Sequence, residues 1–532
     1  MAKINQSFPL DLLLCEEEQT LYNNDEVITR MKQLIHNSIS KIDIDLCDGS
    51  CIVGPTVIRF EFIPNVEIKR SSLRYLEEDL NQVLSEYGPI RLIAPDEEKN
   101  ALAIEVVRPD RQIVSLRSVL DSEEFQESKA KLPIAFGISS ENKPIVKDLF
   151  WMVDLLIVDM VGTGKSVLLH NIIMSLIYAK RPEQLKFILI DTSKCEFSHY
   201  YKLQFSYLAT FDDKPAVITK SEDVLRVLDA LIYEQKKRSE IQYQANVPLI
   251  WNDLQQPSIV VIIDEIADLI RRFGDQLKFR LYRLLGYGKS YGIHFICTSQ
   301  RVALDVLDDR FIAEFQAHIS FKVSTGEDSR RIIEKPDAVS LCDKGDMILY
   351  WEESDRFVEG TFKHFERIQG CYHDSCEMIN ILEYLNSPQT IPYVVSTKAV
   401  SFPLDNQSES ILKNRFDPLL EDVAWFVVSS HCGSTAQIQR RFEIGYNRAS
   451  RLLDLLEAEG IVGPDKGMGY RDVFMNQDDF LALKKYNTSK ELVDVESSRG
   501  WSARLKCRIK SFIKKKNKYV RSDSRRYHRV DL

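Results

Sequence analysis

The hydrophobic pattern changes period along the chain. Val27, Ile28, Met31, Leu34, Ile35 and Ile39 fall at helical spacing, and Leu73, Leu76, Leu80 and Val83 repeat it. Strand-like runs lie at 54–62, 91–94 and 101–107, the last two joined by the charged turn Asp96-Glu-Glu-Lys-Asn100. This pattern predicts a loose polar segment over 1–25 and a small α+β domain over 26–128, with no chemistry visible in it. From 129 to 386 the period alternates. A hairpin pattern at 133–136 and 143–146 is followed by aliphatic runs at 155–158, 185–190, 259–263 and 294–299. Between them lie helical stretches at 167–177, 224–244 and 276–289. Strands alternating with helices predict an α/β domain built on a parallel sheet.

A polar linker over 387–414 separates this domain from a compact unit at 415–477. Leu419, Leu420, Val423, Phe426 and Val427 mark one helix, and Ser434-Thr-Ala-Gln437 is a capping box opening a second. The third carries Leu452, Leu453, Leu455 and Leu456 on its inner side; Ile461-Val462 and 470–475 then read as a β-wing. Three helices and a wing predict a winged helix-turn-helix, a unit that reads the major groove or serves protein contacts. Asn447 and Arg451, four residues apart, project from one face of the third helix beside Arg448. Asparagine suits adenine and arginine suits guanine.

Candidate chemistry gathers at strand ends. Leu155-Leu-Ile-Val158 runs into Asp-Met-Val-Gly-Thr-Gly-Lys165-Ser166 and then a helix, the layout of a phosphate-binding loop. Gly162, Thr163 and Gly164 would cradle phosphate oxygens with backbone N–H groups, Lys165 would reach the outer phosphates, and Ser166 would ligate Mg²⁺. One position departs from the pattern: Asp159 stands where the motif has its first glycine. Ile259-Val-Val-Ile-Ile-Asp-Glu265 delivers two acids to a strand end, Asp264 toward Mg²⁺ and Glu265 as the base that activates water. The same pair also suits a helix N-terminus. His294-Phe-Ile-Cys-Thr-Ser-Gln300 ends where a γ-phosphate sensor would sit, with Gln300 the candidate.

Composition narrows the class. Hydrophobic residues at 44% and charged ones at 28% are those of a soluble globular chain, and no apolar run approaches the roughly 18–20 residues of a membrane span. Ten scattered cysteines without a disulfide or zinc framework predict reduced thiols and a cytoplasmic setting. The net charge of −9 is polarised: residues 501–532 hold 12 Lys+Arg against 2 Asp+Glu, +10, leaving −19 on the remainder. The tail over 478–532 could follow nucleic acid or an anionic surface, or be solvated without a partner.

In this order, phosphate loop, acid-pair strand, sensor strand and winged helix resemble the FtsK/SpoIIIE DNA translocase family over about residues 8–476. Val261-Ile-Ile-Asp-Glu-Ile-Ala-Asp-Leu269 looks like its acid motif, and Tyr291-Gly-Ile-His-Phe-Ile-Cys-Thr-Ser-Gln-Arg301 its sensor strand, with Val302 in place of the usual proline. Asp328-Ser-Arg-Arg-Ile-Ile333 and Lys344-Gly-Asp-Met347 are similar to later motor segments, Pro9-Leu-Asp-Leu-Leu13 to the segment just ahead of the motor, and Phe442-Glu-Ile-Gly-Tyr-Asn-Arg-Ala-Ser-Arg451 to the γ-domain recognition helix. The resemblance implies a RecA-like ATPase domain using ATP and Mg²⁺, assembled as a hexameric ring around double-stranded DNA. It implies ATP-driven translocation in chromosome segregation and a γ domain that orients loading, with Asp454 joining Asn447 and Arg451 at the bases. Arg330 would contact a neighbouring subunit's nucleotide. A recombinase or division protein is an expected partner, and the expected setting is cytoplasmic, peripheral to the membrane or septum. His318 stands where the family usually has arginine. With Asp159 it leaves open a relative that binds DNA and hydrolyses nothing.

Overall fold

The computed structural model describes residues 9–13, 25–41, 46–65, 68, 70–95, 101–211, 214–245, 256–286, 288–300, 306–354, 361–386, 419–442, 444–458, 461–463 and 470–474. The linker over 387–414 and the basic tail lie outside them. The chain divides into two units, one of residues 1–355 with 359–400, the other of 356–358 with 401–532.

The first unit begins with an antiparallel sheet, β1 (Leu46–Val53), β2 (Val57–Pro64), β3 (Arg91–Ile93) and β4 (Leu102–Val107), in the order β1-β2-β4-β3. Helices Asp25–Ser40 and Arg70–Val83 cover one face. Their inward residues Met31, Ile35, Leu76 and Leu80 meet Phe60, Phe62, Leu102 and Ile104 in one apolar core. That is the α+β lobe.

A ten-stranded sheet forms the rest of this unit. Its strands are β5 (Pro133–Ser139), β6 (Pro144–Asp148), β7 (Leu155–Val158), β8 (Leu185–Ile190), β11 (Val217–Ile218), β12 (Ser258–Ile263), β13 (Ile293–Ser299), β14 (Ala317–Ser320), β15 (Asp346–Ser354) and β16 (Thr361–Gly370). A separate small hairpin joins β9 (Thr210–Phe211) to β10 (Lys214–Pro215). The order is β11-β8-β12-β13-β7-β14-β15-β16-β5-β6. The sheet is therefore mixed rather than wholly parallel. Strands β11 to β14 are parallel, and β15, β16, β5 and β6 add an antiparallel wing. Adjacent parallel strands need a long crossover connection, whereas the antiparallel pair β15 and β16 needs none.

Residues 114–126, which the sequence pattern grouped with the α+β domain, pack instead into the large-sheet core through Val114, Leu116, Val119, Leu120 and Phe125. Leu13, from the segment expected to be loose, joins the same core. The helix expected over 276–289 stops at Leu284, because Asp154 Oδ2 accepts the Gly286 N–H at 2.6 Å and turns the chain.

In the second unit, helices Leu420–Ser430, Thr435–Phe442 and Tyr446–Ala458 enclose Val423, Val427, Ile438, Leu452, Leu453 and Leu456. Strands β17 (Gly433–Ser434) and β18 (Tyr470–Arg471) pair antiparallel, and Val462 bridges Val473. This is the winged-helix pattern.

Candidate nucleotide site

Three parallel strands place the candidate residues at one sheet edge. β13 lies between β7 and β12, so the glycine-rich loop, the acid pair and the sensor strand end side by side, where open α/β sheets bind ligands. Gly162 at φ 85° and Gly164 at φ 124° shape the loop, conformations in which a Cβ is strained. A Cβ on Gly164 would also stand 3.0 Å from the Gly345 nitrogen, which donates to Thr163 O at 2.7 Å. The Lys344-Gly345 turn thus braces the loop from beneath.

The helix that follows, Lys165–Ala179, opens with Lys165 almost fully buried. Its ammonium donates to Asp264 Oδ1 at 2.8 Å and to Glu265 Oε1. Burial alone would lower the ammonium pKa; the two carboxylates outweigh it and raise it above the ordinary lysine value. Thr298 Oγ1 donates to the same Asp264 oxygen at 2.7 Å and accepts from Glu265 N at 3.0 Å. Glu265 sits in the left-handed region (φ 52°, ψ 59°) at the start of helix Ile266–Phe273 without a side-chain capping bond. A non-glycine residue held there costs of order 1–3 kcal/mol, a strain that collects at functional sites. Its Oε2 instead accepts from Gln300 N at 3.2 Å. The acid pair is built toward the loop, not as a helix cap.

Asp159 is 3% exposed, turned inward rather than to solvent. Thr163 Oγ1 lies 3.4 Å from its Oδ2, and its Oδ1 has no hydrogen-bond partner among the described residues. Burial pushes its carboxyl up to about 7, Glu265 and Asp264 add to the rise, and Lys165 opposes it. His318 is buried as well. It stacks on Tyr350 with ring centroids 5.6 Å apart, and Nε2 shares a hydrogen bond with Ile312 O. Burial lowers its pKa, so it presents no cation.

Sequence reasoning missed Glu196 and Thr298. Ser166 Oγ donates to Glu196 Oε1 at 2.7 Å, and burial raises the Glu196 carboxyl although that hydrogen bond opposes the rise. Asp191, the acid ending β8, was a visible signal. It accepts from Lys194 N, Glu196 N and Ser193 Oγ, and so shapes the turn that carries Glu196. Gln300 is exposed at the edge, and Arg330 is exposed on helix Gly326–Ile333, away from the loop residues named above in sequence. Asn447, Arg448, Arg451 and Asp454 all belong to helix Tyr446–Ala458, with Arg448 half-buried. The side chains of Asn447, Arg451 and Asp454 lie outside the described residues.

A phosphate-loop α/β domain joined to a winged helix is the class that fold and site define. Comparison with known proteins narrows it. The FtsK alpha domain matches residues 8–108, the FtsK/SpoIIIE family 115–250 and the FtsK gamma domain 414–476. The DNA translocase FtsK of Haemophilus influenzae is 30% identical over 504 residues, covering 88% of this chain and 92% of its own. The FtsK of Chlorobaculum tepidum is 30% identical, and the DNA translocase SftA of Bacillus subtilis 31%; the chain spans 60% and 48% of their respective lengths. The chain belongs to the FtsK/SpoIIIE family. Among solved structures, the pCW3 conjugation coupling protein TcpA is 17% identical with a TM-score of 0.43, covering 67% of this chain and 99% of its own. No helix among the described residues is long and apolar enough to cross a membrane.

Proposed function

We propose that the protein is an ATP-driven translocase of double-stranded DNA acting in chromosome segregation at cell division. It would work from the cytoplasm, near the septum, as a hexameric ring whose loading the winged helix orients. The observation that carries this reading is the convergence of Lys165, Asp264, Glu265 and Gln300 at one sheet edge, in a chain whose relatives are named DNA translocases.

The loop residues fit a nucleoside triphosphate. Gly162 and Gly164 give the backbone its phosphate-accepting shape, and Lys165 can exchange two carboxylates for phosphate oxygens. Ser166 and Asp264 would hold magnesium, which when bound neutralises charge on the phosphoryl group. Transfer of Lys165 to phosphate frees Glu265 to accept a proton from water, while Gln300 beside it meets the outer phosphate. Arg330 would serve a neighbouring subunit's site. Asn447, Arg448, Arg451 and Asp454 would read base edges, and a recombinase or division protein would be a partner.

The test is ATP turnover by the purified chain with and without double-stranded DNA, beside Lys165→Ala and Glu265→Gln. The expected result is DNA-stimulated turnover in the parent and a loss of about a hundredfold or more in both variants. Glu265→Gln hydrolysing at the parent rate would remove Glu265 as the base. The unpartnered Asp159 oxygen and the uncharged His318 favour a second reading, a DNA-binding relative without hydrolysis. An inactive parent with activity restored in Asp159→Gly would support it.

A further inference from the structure

We propose that Glu196 is a positioning residue for the magnesium-bearing serine, fixing the direction of the Ser166 proton; this rests on the nucleotide-binding reading above. A serine oxygen that ligates a cation must offer a lone pair, so its proton needs an acceptor on the other side. Asp264, the acid at the end of β12, does not take the Ser166 proton in this structure. Its Oδ1 already accepts from Lys165 Nζ at 2.8 Å and from Thr298 Oγ1 at 2.7 Å. Glu196 Oε1 takes the Ser166 hydroxyl proton at 2.7 Å instead.

The carboxylate is held for that purpose by its own turn. Asp191 Oδ2 accepts from Glu196 N at 2.8 Å and Phe197 N at 3.2 Å, while Oδ1 accepts from Ser193 Oγ at 2.6 Å and Lys194 N at 2.8 Å. Phe197 and Tyr200, both fully buried, anchor the segment in the core below. Glu196 Oε2 faces His170 Nε2 at 3.8 Å, and His170 Nδ1 shares a hydrogen bond with the Tyr200 phenol at 2.8 Å. The far side of the carboxylate is therefore walled by a ring that is itself fixed. With Glu196 in place, Ser166 keeps its lone pairs turned toward the cation position. Without it, the hydroxyl rotates freely and the serine must be ordered by the metal itself.

The experiment is titration of a fluorescent ATP analogue into the purified chain at stepped Mg²⁺ concentrations, for the parent, Glu196→Ala, Glu196→Gln, Ser166→Ala and the Glu196→Ala/Ser166→Ala pair. Thermal melting without nucleotide and metal checks that each variant folds. Glu196→Ala is expected to raise the Mg²⁺ concentration for half-maximal binding about tenfold, the worth of one hydrogen bond to a charged group. Glu196→Gln, whose amide oxygen still accepts the proton, is expected to raise it twofold to threefold. The double variant is expected to match Ser166→Ala alone, since both changes remove one unit. A Glu196→Ala protein with the parent's Mg²⁺ dependence, or a double variant in which the shifts add, overturns the proposal and leaves the nucleotide reading standing. A parent that binds no nucleotide at any Mg²⁺ concentration overturns both.

Discussion

Asp159 decides how this phosphate loop behaves with pH. Its carboxyl, normally near 3.8, is pushed up to about 7 by burial and by the neighbouring acids. Below that pH the loop carries a neutral carboxylic acid; above it, a charge with one unpartnered oxygen. A phosphate charge about 6 Å away would meet roughly 2–3 kcal/mol of repulsion at an effective dielectric near 20. Nucleotide is then expected to bind the protonated form, with affinity falling about tenfold between pH 6 and pH 8. Asp159→Asn is expected to remove that slope in the same titration; a slope retained in Asp159→Asn would clear the residue. Stability has a matching sign. The native state holds the proton more tightly than the unfolded chain, so the contribution of Asp159 to stability declines as pH rises from about 4 to about 7. Asp159→Asn should therefore melt higher than the parent at pH 8, with no such gain at pH 4.

Helix Ser221–Ala245 shows why single elements were legible when their contacts were not. The sequence marks it as a long, charged helix, yet Arg238 is fully buried. Its guanidinium donates to Glu234 Oε1 at 3.0 Å, Tyr291 O at 2.7 Å and Pro257 O at 2.9 Å. One side chain thus ties the helix to the beginnings of β12 and β13, which end in the site. Arg238→Met would leave Glu234 and the Tyr291, Gly292 and Pro257 carbonyls without that donor, and removing one partner of a buried pair costs about 3–5 kcal/mol. A drop of that size in denaturant-unfolding free energy is expected, against almost none for Arg226→Met, whose side chain is more than half exposed. Periodicity reveals that a helix exists and which residues are apolar. It does not reveal a buried arginine whose backbone partners lie 19 to 54 residues away. The same limit hid Glu196 and the helix end set by Asp154, whereas Lys165, Asp264 and Glu265 announced themselves by standing directly after aliphatic strands. Of the antiparallel wing the β5–β6 hairpin was legible, but β15 and β16 were missed because long half-buried strands such as β16 lack the apolar continuity of β7 or β12.

At the scale of the first unit, buried charge ties the α+β lobe to the large sheet. Glu105 on β4 accepts from Arg367 Nη1 on β16 at 3.0 Å and from Arg91 Nη1 at 3.4 Å. Arg367 also forks onto Asp346 at 3.0 and 2.6 Å, and Arg91 reaches Asp337 at 2.7 Å. Burial alone would raise the Glu105 carboxyl, but Arg91 and Arg367 outweigh it and hold it at about 2. Its stabilising contribution is present above the ordinary value of 4.5 and is lost as pH falls toward about 2. Two residues beyond Arg367, Gln369 accepts from Thr56 and from Arg111 and donates to Lys344 O at 2.9 Å. Gly345 next to it donates to Thr163 O in the phosphate loop. The lobe contact and the loop brace therefore share one strand end. Glu105→Gln would remove the carboxylate that two buried guanidiniums share, leaving Arg367 to Asp346 and Arg91 to Asp337, at a cost of about 1.5–3 kcal/mol, and is expected to loosen the lobe and the brace together. The measurement is hydrogen exchange along β4, β16 and 159–166 at pH 7, compared with the parent. Faster exchange in all three segments is the expected outcome. Faster exchange in β4 alone would mean that the loop keeps its shape without the lobe.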